Sequence, residues 1–457
     1  MASAEAPVAV DGSLLEGGGQ IVRVATALSA ATGRDVLVEN VRAGRPKPGL
    51  AAQHLAGLRL VRDACGGSLR APDGGDVGVG ATAFTLAPGS VKEAADASAA
   101  GDDDPVAAAT GSSSERSERS AAAFAADART AGAISLVAQS FVPVAAFAGR
   151  ATRVSLTGGT DVPNAPPIGY LKHCLAPCLR AHLGIEIDAE VTRRGYFPRG
   201  GGEATLTVVP PKGLGFGTSS VSEHSEPKAY PPFTIERFRP GRGGDGEPAK
   251  LGCWIVNGAP DGPRQQTESR AAAAAALRSL LTKSPTVAIA AEAMARAGVP
   301  VDCRTAVEPG AGDGGSVLLS AASVDGTCVL AVGLVFEPPK KSSTDTHEKE
   351  HANARVKALV ALASRAGEAL GELVESGAAV DDHLLDQLIV FMALADGRGG
   401  KKSRVVARAP LSKHAETAID VCRRVVGARF EVLEGKAGGV KEGLVAVECV
   451  GIGATVR

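Results

Sequence analysis

The chain alternates apolar positions at helical spacing with short apolar runs of strand type, and the alternation recurs. From Gln20 to Thr32 the apolar residues repeat at the period of a buried helix face. Gly33 and Arg34 make a turn, and Asp35 to Val41 reads as a strand. A loop from Arg42 to Gly49 leads into a second helix from Leu50 to Cys65. The same order returns from Gly132: a helix through Gln139 to Phe147, a turn at Gly149-Arg150, and a strand from Arg153 to Leu156. The loop from Gly158 to Pro167 and a helix from Ile168 to Leu183 complete it. A third copy predicts a helix from His383 to Ala395, a strand from Ser403 to Ala407, a loop from Arg408 to Lys413 and a helix from His414 to Val426. Repetition of helix, strand, loop and helix predicts an α/β fold with one large domain of three repeated units. In each copy the strand-to-helix loop holds the unusual residues.

The stretch from Phe233 to Val335 does not follow the repeat. It reads as strands at Phe233–Phe238, Gly252–Asn257, Val301–Val307, Ser316–Ala322 and Cys328–Val335, with an alanine-rich helix at Ser269–Leu281. This predicts a smaller α/β domain inserted between the second and third units, with 1–211 and 338–457 forming the large discontinuous domain and 212–337 the insert. Residues 92–122 are polar and aperiodic and predict a disordered loop. Residues 212–232 are rich in Gly, Ser and Pro, and a polar patch from Lys340 to Glu350 precedes an amphipathic helix over roughly Glu350 to Glu375.

Composition limits the function classes. The 457 residues carry 49 Lys and Arg against 50 Asp and Glu, a net charge of −1, so no global attraction draws the chain to nucleic acid, although a local basic site remains open. Aromatics make up only 3%, too few for a platform gripping a run of bases. No apolar run reaches the length of a membrane span, and Met1 to Pro7 lacks the pattern of a secretory signal. The eight cysteines are scattered, with only Cys174 and Cys178 close together, which suits free thiols in a reducing, intracellular compartment.

Three places carry candidate chemistry. Glu16-Gly17-Gly18-Gly19-Gln20 runs straight into a helix, and glycines there let backbone N–H groups approach an anion at the positive helix end, or simply make a turn. Glu16 suits Mg²⁺ or Mn²⁺, or else complements the helix dipole. The loop from Arg42 to Gly49 carries Arg42, Arg45 and Lys47 within six residues, stiffened by Pro46 and Pro48: a phosphate site, or a solvated basic loop. Arg23, a turn after the glycines, can face the same anion. His414 starts a helix two residues after a cap at Ser412. The positive helix end disfavours imidazolium, and a neutral imidazole is a competent nucleophile; a structural histidine is the alternative.

Taken together these pieces resemble the RNA 3′-terminal phosphate cyclase family. The resemblance rests on Asp11-Gly12-Ser13 through Arg23; on Val41 to Leu50 with Gln53-His54; on Thr130-Ala131-Gly132 with Gln139; on Gly158-Gly159-Thr160-Asp161 through Ala165-Pro166-Pro167; on Gly195 to Gly202; and on His383-Leu384-Leu385-Asp386-Gln387. It implies three α/β units, similar to the C-terminal domain of a translation initiation factor, and a small inserted domain. It also implies an ATP-dependent reaction. A histidine takes AMP from ATP, AMP passes to an RNA 3′-phosphate, and the adjacent 2′-hydroxyl closes a 2′,3′-cyclic phosphate.

Carried over residue by residue, the resemblance makes His414 the adenylylated nucleophile. It puts Gln139, Pro166, His383, Leu384, Leu385, Asp386 and Gln387 at the nucleotide, Glu16 at a divalent metal (Mg²⁺ or Mn²⁺), and Arg23, Arg42, Arg45 and Gln53 near the RNA phosphates. It further implies a nuclear location in a eukaryotic cell and a cytoplasmic one otherwise. Ala418 stands where the family usually has asparagine, and 329–340 departs from its pattern, so no residue is carried over there. Two rivals are a non-catalytic relative acting in pre-ribosomal RNA processing, which lacks the histidine, and a carboxyvinyl-transferase-like enzyme, against which Gly44 to Gly49 and Asp386-Gln387 speak.

Overall fold

A computed structural model describes residues 6–89, 121–211, 229–238, 250–259, 301–311, 314–323, 325–336 and 348–455. The alanine-rich helix expected at 269–281 and most of the loop expected at 92–122 lie outside them. The last two residues of that loop are ordered: Ala121 and Ala122 are buried, and Ala122 opens a strand.

The first unit runs β1 (Val8–Asp11), α1 (Gly19–Thr32), β2 (Val36–Glu39), α2 (Ala52–Ala64), β3 (Ser68–Arg70) and β4 (Phe84–Ala87). Its sheet order is β1-β2-β4-β3, with β1 parallel to β2 and the other pairs antiparallel. The second unit is β5 (Ala122–Asp127), α3 (Ile134–Ala146), β6 (Thr152–Gly158), a π-turn (Leu171–Leu175) into α4 (Ala176–Leu183), β7 (Glu186–Gly195) and β8 (Gly202–Val209). Its order, β5-β6-β8-β7, has the same parallel-then-antiparallel pairing.

The third unit corrects the expected domain division. The strand placed at the start of the insert, here β9 (Thr234–Ile235), pairs in parallel with β14 (Ser403–Arg408), as Thr234↔Arg404 and Ile235↔Val405. Unit three is then β9, α6 (Asp382–Leu394), β14, α7 (Lys413–Val426), β15 (Arg429–Glu434) and β16 (Leu444–Val450), in the order β9-β14-β16-β15. This matches the first two sheets strand for strand. The inserted segment therefore lies inside the third unit, after its first strand, and the boundary expected at 212 moves beyond Ile235. Two residues of pairing carry no periodicity, so the sequence pattern could not assign this strand.

The insert comprises β10 (Lys250–Ala259), β11 (Val301–Ala311), β12 (Gly314–Ala322) and β13 (Val329–Phe336), followed by the long helix α5 (Glu348–Ser376). β11 joins β7 at Gly310↔Arg194 and Ala311↔Gly195 only, which extends the second sheet to eight strands. The joint is fixed by buried polar groups. Arg194 pairs with Asp161 at 3.0 Å, and the Asp161 carboxylate also accepts the hydroxyls of Ser316 (2.7 Å) and Thr160 (2.6 Å). Both charges are paired and hydrogen-bonded, which is what makes their burial tolerable.

The helices follow from local rules. α1 and α7 end on glycines in the left-handed region, Gly33 and Gly427, where a Cβ is strained. The apolar faces meet in one core: α1 packs on α2, α3 and α7, and α6 on α7. The packing brings the N-terminal turns of α1, α3, α6 and α7 around one cleft. Among the described residues no helix is long and apolar enough to cross a membrane, and six cysteines are free and buried.

Candidate active site

Residues from the N-terminal turns of four helices line the cleft, and the positive dipole ends of those helices favour an anionic ligand. The lining includes Arg23 of α1, Ser135 and Gln139 of α3, Asn164 and Pro166 of the 158–168 loop, Tyr170, then His383, Asp386 and Gln387 of α6, and His414 of α7.

His414 enters the cleft because Ser412 caps α7, its hydroxyl accepting the Ala415 N–H at 3.1 Å. Burial holds the His414 imidazole below its ordinary pKa; Glu16 opposes the shift, while Arg23, His383 and Arg45 reinforce it. The ring is thus neutral at physiological pH. The glycine turn of unit one sits beside it, with the Glu16 N–H donating to the Thr417 hydroxyl at 3.2 Å. The glycines are required by close approach. A Cβ on Gly18 would overlap the Glu16 carboxylate, and one on Gly19 would overlap His54 Nε2 and come within 2.7 Å of Arg23 Nη1.

Arg23 is buried, and its guanidinium donates to Gln20 Oε1 at 2.7 Å. Burial disfavours its charge, which Asp386 and Glu16 support. Asp386 accepts the Gln139 side-chain amide at 3.0 Å. Burial pushes its carboxyl up to about 7, against the pull of His383 and Arg23.

Five buried polar atoms here lack a hydrogen-bond partner: Glu16 Oε2, Gln20 Nε2, Arg23 Nε, Gln139 Oε1 and His414 Nδ1. Leaving a buried polar group unpaired costs about 1–3 kcal/mol. Five in one connected cluster mark a site whose ligand supplies the missing partners.

Several expected site residues meet here, and others do not. Gln139, Pro166, His383, Asp386, Gln387, Arg23 and His414 line the cleft. Leu384 and Leu385 are buried core residues and are not among the cleft lining. Gln53 accepts the Ala133 N–H at 2.8 Å and so caps α3. Arg45 reaches back to the glycine turn, donating to the Glu16 carbonyl at 3.0 Å and pairing with the Glu16 carboxylate. Arg42 braces its own loop by donating to the Gly49 carbonyl at 2.8 Å.

Sequence reasoning passed over Tyr170, and it noted Gln20 and His54 only as parts of motifs. His54 Nδ1 accepts the Ala51 N–H at 3.1 Å, and burial drives its pKa down to about 3, helped by Arg23 and Arg42. Gln20 was legible as a polar residue on the packed face of α1, directly after the glycines and one turn before Arg23. Tyr170 was not, because its partner lies 211 positions away: its hydroxyl donates to Asp381 at 2.6 Å.

No group of three His, Cys, Asp or Glu side chains able to hold a metal occurs among the described residues. Glu16 alone fits a cation that keeps its waters and takes its other ligands from phosphates, since one of its oxygens is buried and unpartnered.

Comparison with known proteins agrees with this geometry. The family model described as RNA 3′-terminal phosphate cyclase matches residues 14–432. The chain is 32% identical over 432 residues to a protein of that name from Caldivirga maquilingensis, covering 93% of this chain and 94% of the relative. A relative from Hyperthermus butylicus with the same name is 30% identical, covering 94% of each chain, and one from Drosophila melanogaster is 29% identical, covering 98% of each. The chain belongs to the RNA 3′-terminal phosphate cyclase family.

Proposed function

We propose that this chain uses ATP to convert an RNA 3′-terminal phosphate into a 2′,3′-cyclic phosphate, with AMP carried covalently on His414. The observation that carries the reading is the cluster of unpartnered buried atoms on Glu16, Gln20, Arg23, Gln139 and His414, set among four helix N-termini. A neutral nucleophile and a set of anion-stabilising donors are what phosphoryl attack requires.

In the first step the neutral His414 imidazole attacks the α-phosphorus. The new N–P bond forms as the bond to the β-phosphate oxygen breaks, pyrophosphate leaves, and the ring proton passes to solvent. Arg23 and the helix N-termini stabilise the charge that gathers on the phosphate oxygens. Gln139, fixed by Asp386, offers its unpaired carbonyl oxygen to a donor on the nucleotide, and Pro166 and Tyr170 supply apolar wall. In the second step an oxygen of the RNA 3′-phosphate attacks the same phosphorus, the N–P bond breaks, and His414 is regenerated. In the third, the 2′-hydroxyl attacks the RNA phosphorus, its proton is lost, and AMP leaves. A divalent ion held at Glu16 would supply charge neutralisation on the phosphate oxygens. Arg42 and Arg45, which brace the loop and the glycine turn, would receive the RNA end.

Mixing the protein with α-labelled ATP and Mg²⁺ tests this. The expected result is acid-labile labelling that His414→Ala abolishes while its thermal melt stays unchanged. Folded wild-type protein that takes no label refutes the enzyme reading.

A further inference from the structure

The site described so far accounts for the nucleotide and a terminal phosphate. It leaves two sequence motifs without a role, Gly195 to Gly202 and Thr130 to Gly132. The structure packs them on each other. Gly200 closes the turn with its N–H on the Tyr196 carbonyl at 2.8 Å. Gly200 lies in the left-handed region, and a Cβ there would overlap the Thr130 carbonyl. Immediately beyond, the Ala133 N–H is held by Gln53, one helical turn from the basic loop. On its other flank the turn bridges to Asp161, in the loop that supplies Pro166 to the cleft. The turn thus stands between the nucleotide cleft and the start of the basic-loop helix.

Its tip is unlike the rest of the molecule. Tyr196 is buried, but Phe197 is 54% exposed, the one aromatic among the exposed large hydrophobic residues described. Arg199 is exposed beside it. Arg129, on the segment the turn packs against, is also exposed, and its backbone adopts the left-handed region with its N–H on the Asp127 carboxylate at 2.6 Å. Half of the phenyl ring faces solvent, one exposed arginine shares its turn and another sits on the segment that the turn packs against, and among the described residues no ion pair joins either arginine to a carboxylate. A flat apolar face between cations matches single-stranded nucleic acid, in which a base stacks and the adjoining phosphates are neutralised.

We propose that Phe197, Arg199 and Arg129 form a stacking and phosphate-binding platform for the RNA strand upstream of the two 3′-terminal nucleotides. This rests on the reading of the cleft as a cyclase site and adds what that reading lacks: a grip on the body of the RNA. One base, not a run of bases, is held, in keeping with the scarcity of aromatics.

The test compares two substrates, a long single-stranded oligonucleotide and a dinucleotide, both with 3′-phosphates. Phe197→Ala should raise KM for the long substrate roughly tenfold. It should leave KM for the dinucleotide and the rate of self-adenylylation unchanged. Phe197→Tyr, which keeps a flat ring, should restore the long-substrate KM. Arg129→Ala with Arg199→Ala should flatten the salt dependence of long-RNA binding, measured by fluorescence anisotropy. An unchanged ratio of the two KM values in Phe197→Ala overturns the platform, as does equal loss of self-adenylylation, which would place the turn's effect in the nucleotide cleft. If the wild type neither labels nor cyclises, the cyclase reading fails separately. Anisotropy with the same RNA then decides the platform by itself: tight binding lost in Phe197→Ala supports it, and equal binding by both proteins refutes it.

Discussion

Asp381 offers the sharpest single test of how the cleft is held. Its carboxylate is buried and gathers hydrogen bonds from three parts of the chain. Oδ1 accepts the His383 and Leu384 N–H groups, both at 3.0 Å, and so caps α6; it also accepts the Tyr170 hydroxyl at 2.6 Å. Oδ2 accepts the Ala331 N–H of β13 at 3.0 Å. Asp381→Ala removes a helix cap, at about 1 kcal/mol. It also strands two buried donors, Tyr170 Oη–H and Ala331 N–H, at about 1–3 kcal/mol each. The offset is relief of a carboxylate whose own burial is unfavourable, since burial raises its pKa.

A net loss of about 3 kcal/mol or more is expected, read as a lower urea midpoint at unchanged slope. Asp381→Asn keeps the cap but turns an NH₂ toward the Ala331 N–H, and should lose about 1–3 kcal/mol. In the Tyr170→Phe background the cost of Asp381→Ala should shrink, because one donor is no longer stranded. Since α6 and Tyr170 line the cleft, KM for ATP in self-adenylylation should rise in parallel. A change in stability below about 1 kcal/mol for Asp381→Ala would falsify the claim that this carboxylate ties the insert to α6.

The other predictions concern the cleft itself. Gly19→Ala should abolish self-adenylylation, because its Cβ meets the buried His54 ring and Arg23, whereas Ala at Gly78, which has open space, should be silent; equal activity of the two variants refutes the packing argument. Asp386 has a folded pKa of about 7, raised from 3.8. Its contribution to stability is therefore fully present below the unfolded value and is lost as pH rises through about 7. Melts of wild type against Asp386→Asn across that window should show the wild type losing ground, and parallel curves would contradict the assignment. In that same Asp386→Asn protein the acid limb of self-adenylylation should lie below 6.5, the ordinary value for histidine, because burial depresses the His414 pKa; a limb at or above 6.5 refutes a neutral His414. Arg42→Ala with Arg45→Ala should slow cyclisation of an RNA 3′-phosphate more than self-adenylylation, and equal loss of both would remove these residues from the RNA end.

The sequence alone determined what depends on neighbours along the chain. Helical periodicity placed α1, α2, α6 and α7 to within a few residues, because side chains three and four apart share a face. Glycine turns, the Ser412 cap and the candidacy of Glu16, Arg23 and His414 were equally legible, since each stands in a short local motif, whereas Gln139 and Asp386 entered only through the resemblance to the family. The tertiary structure decided whatever depends on pairing across the chain. Thr234–Ile235 became the first strand of the third unit only by lying against β14, and two residues carry no period from which that could be read. Gln53, expected near phosphate, went to an α3 N–H, and Leu384 and Leu385 went to the core, because helix packing fixes which face of a motif meets the cleft. The convergence of unpartnered atoms from α1, α3 and α7 is likewise a product of packing, for it exists only where three sheets hold those helix ends together.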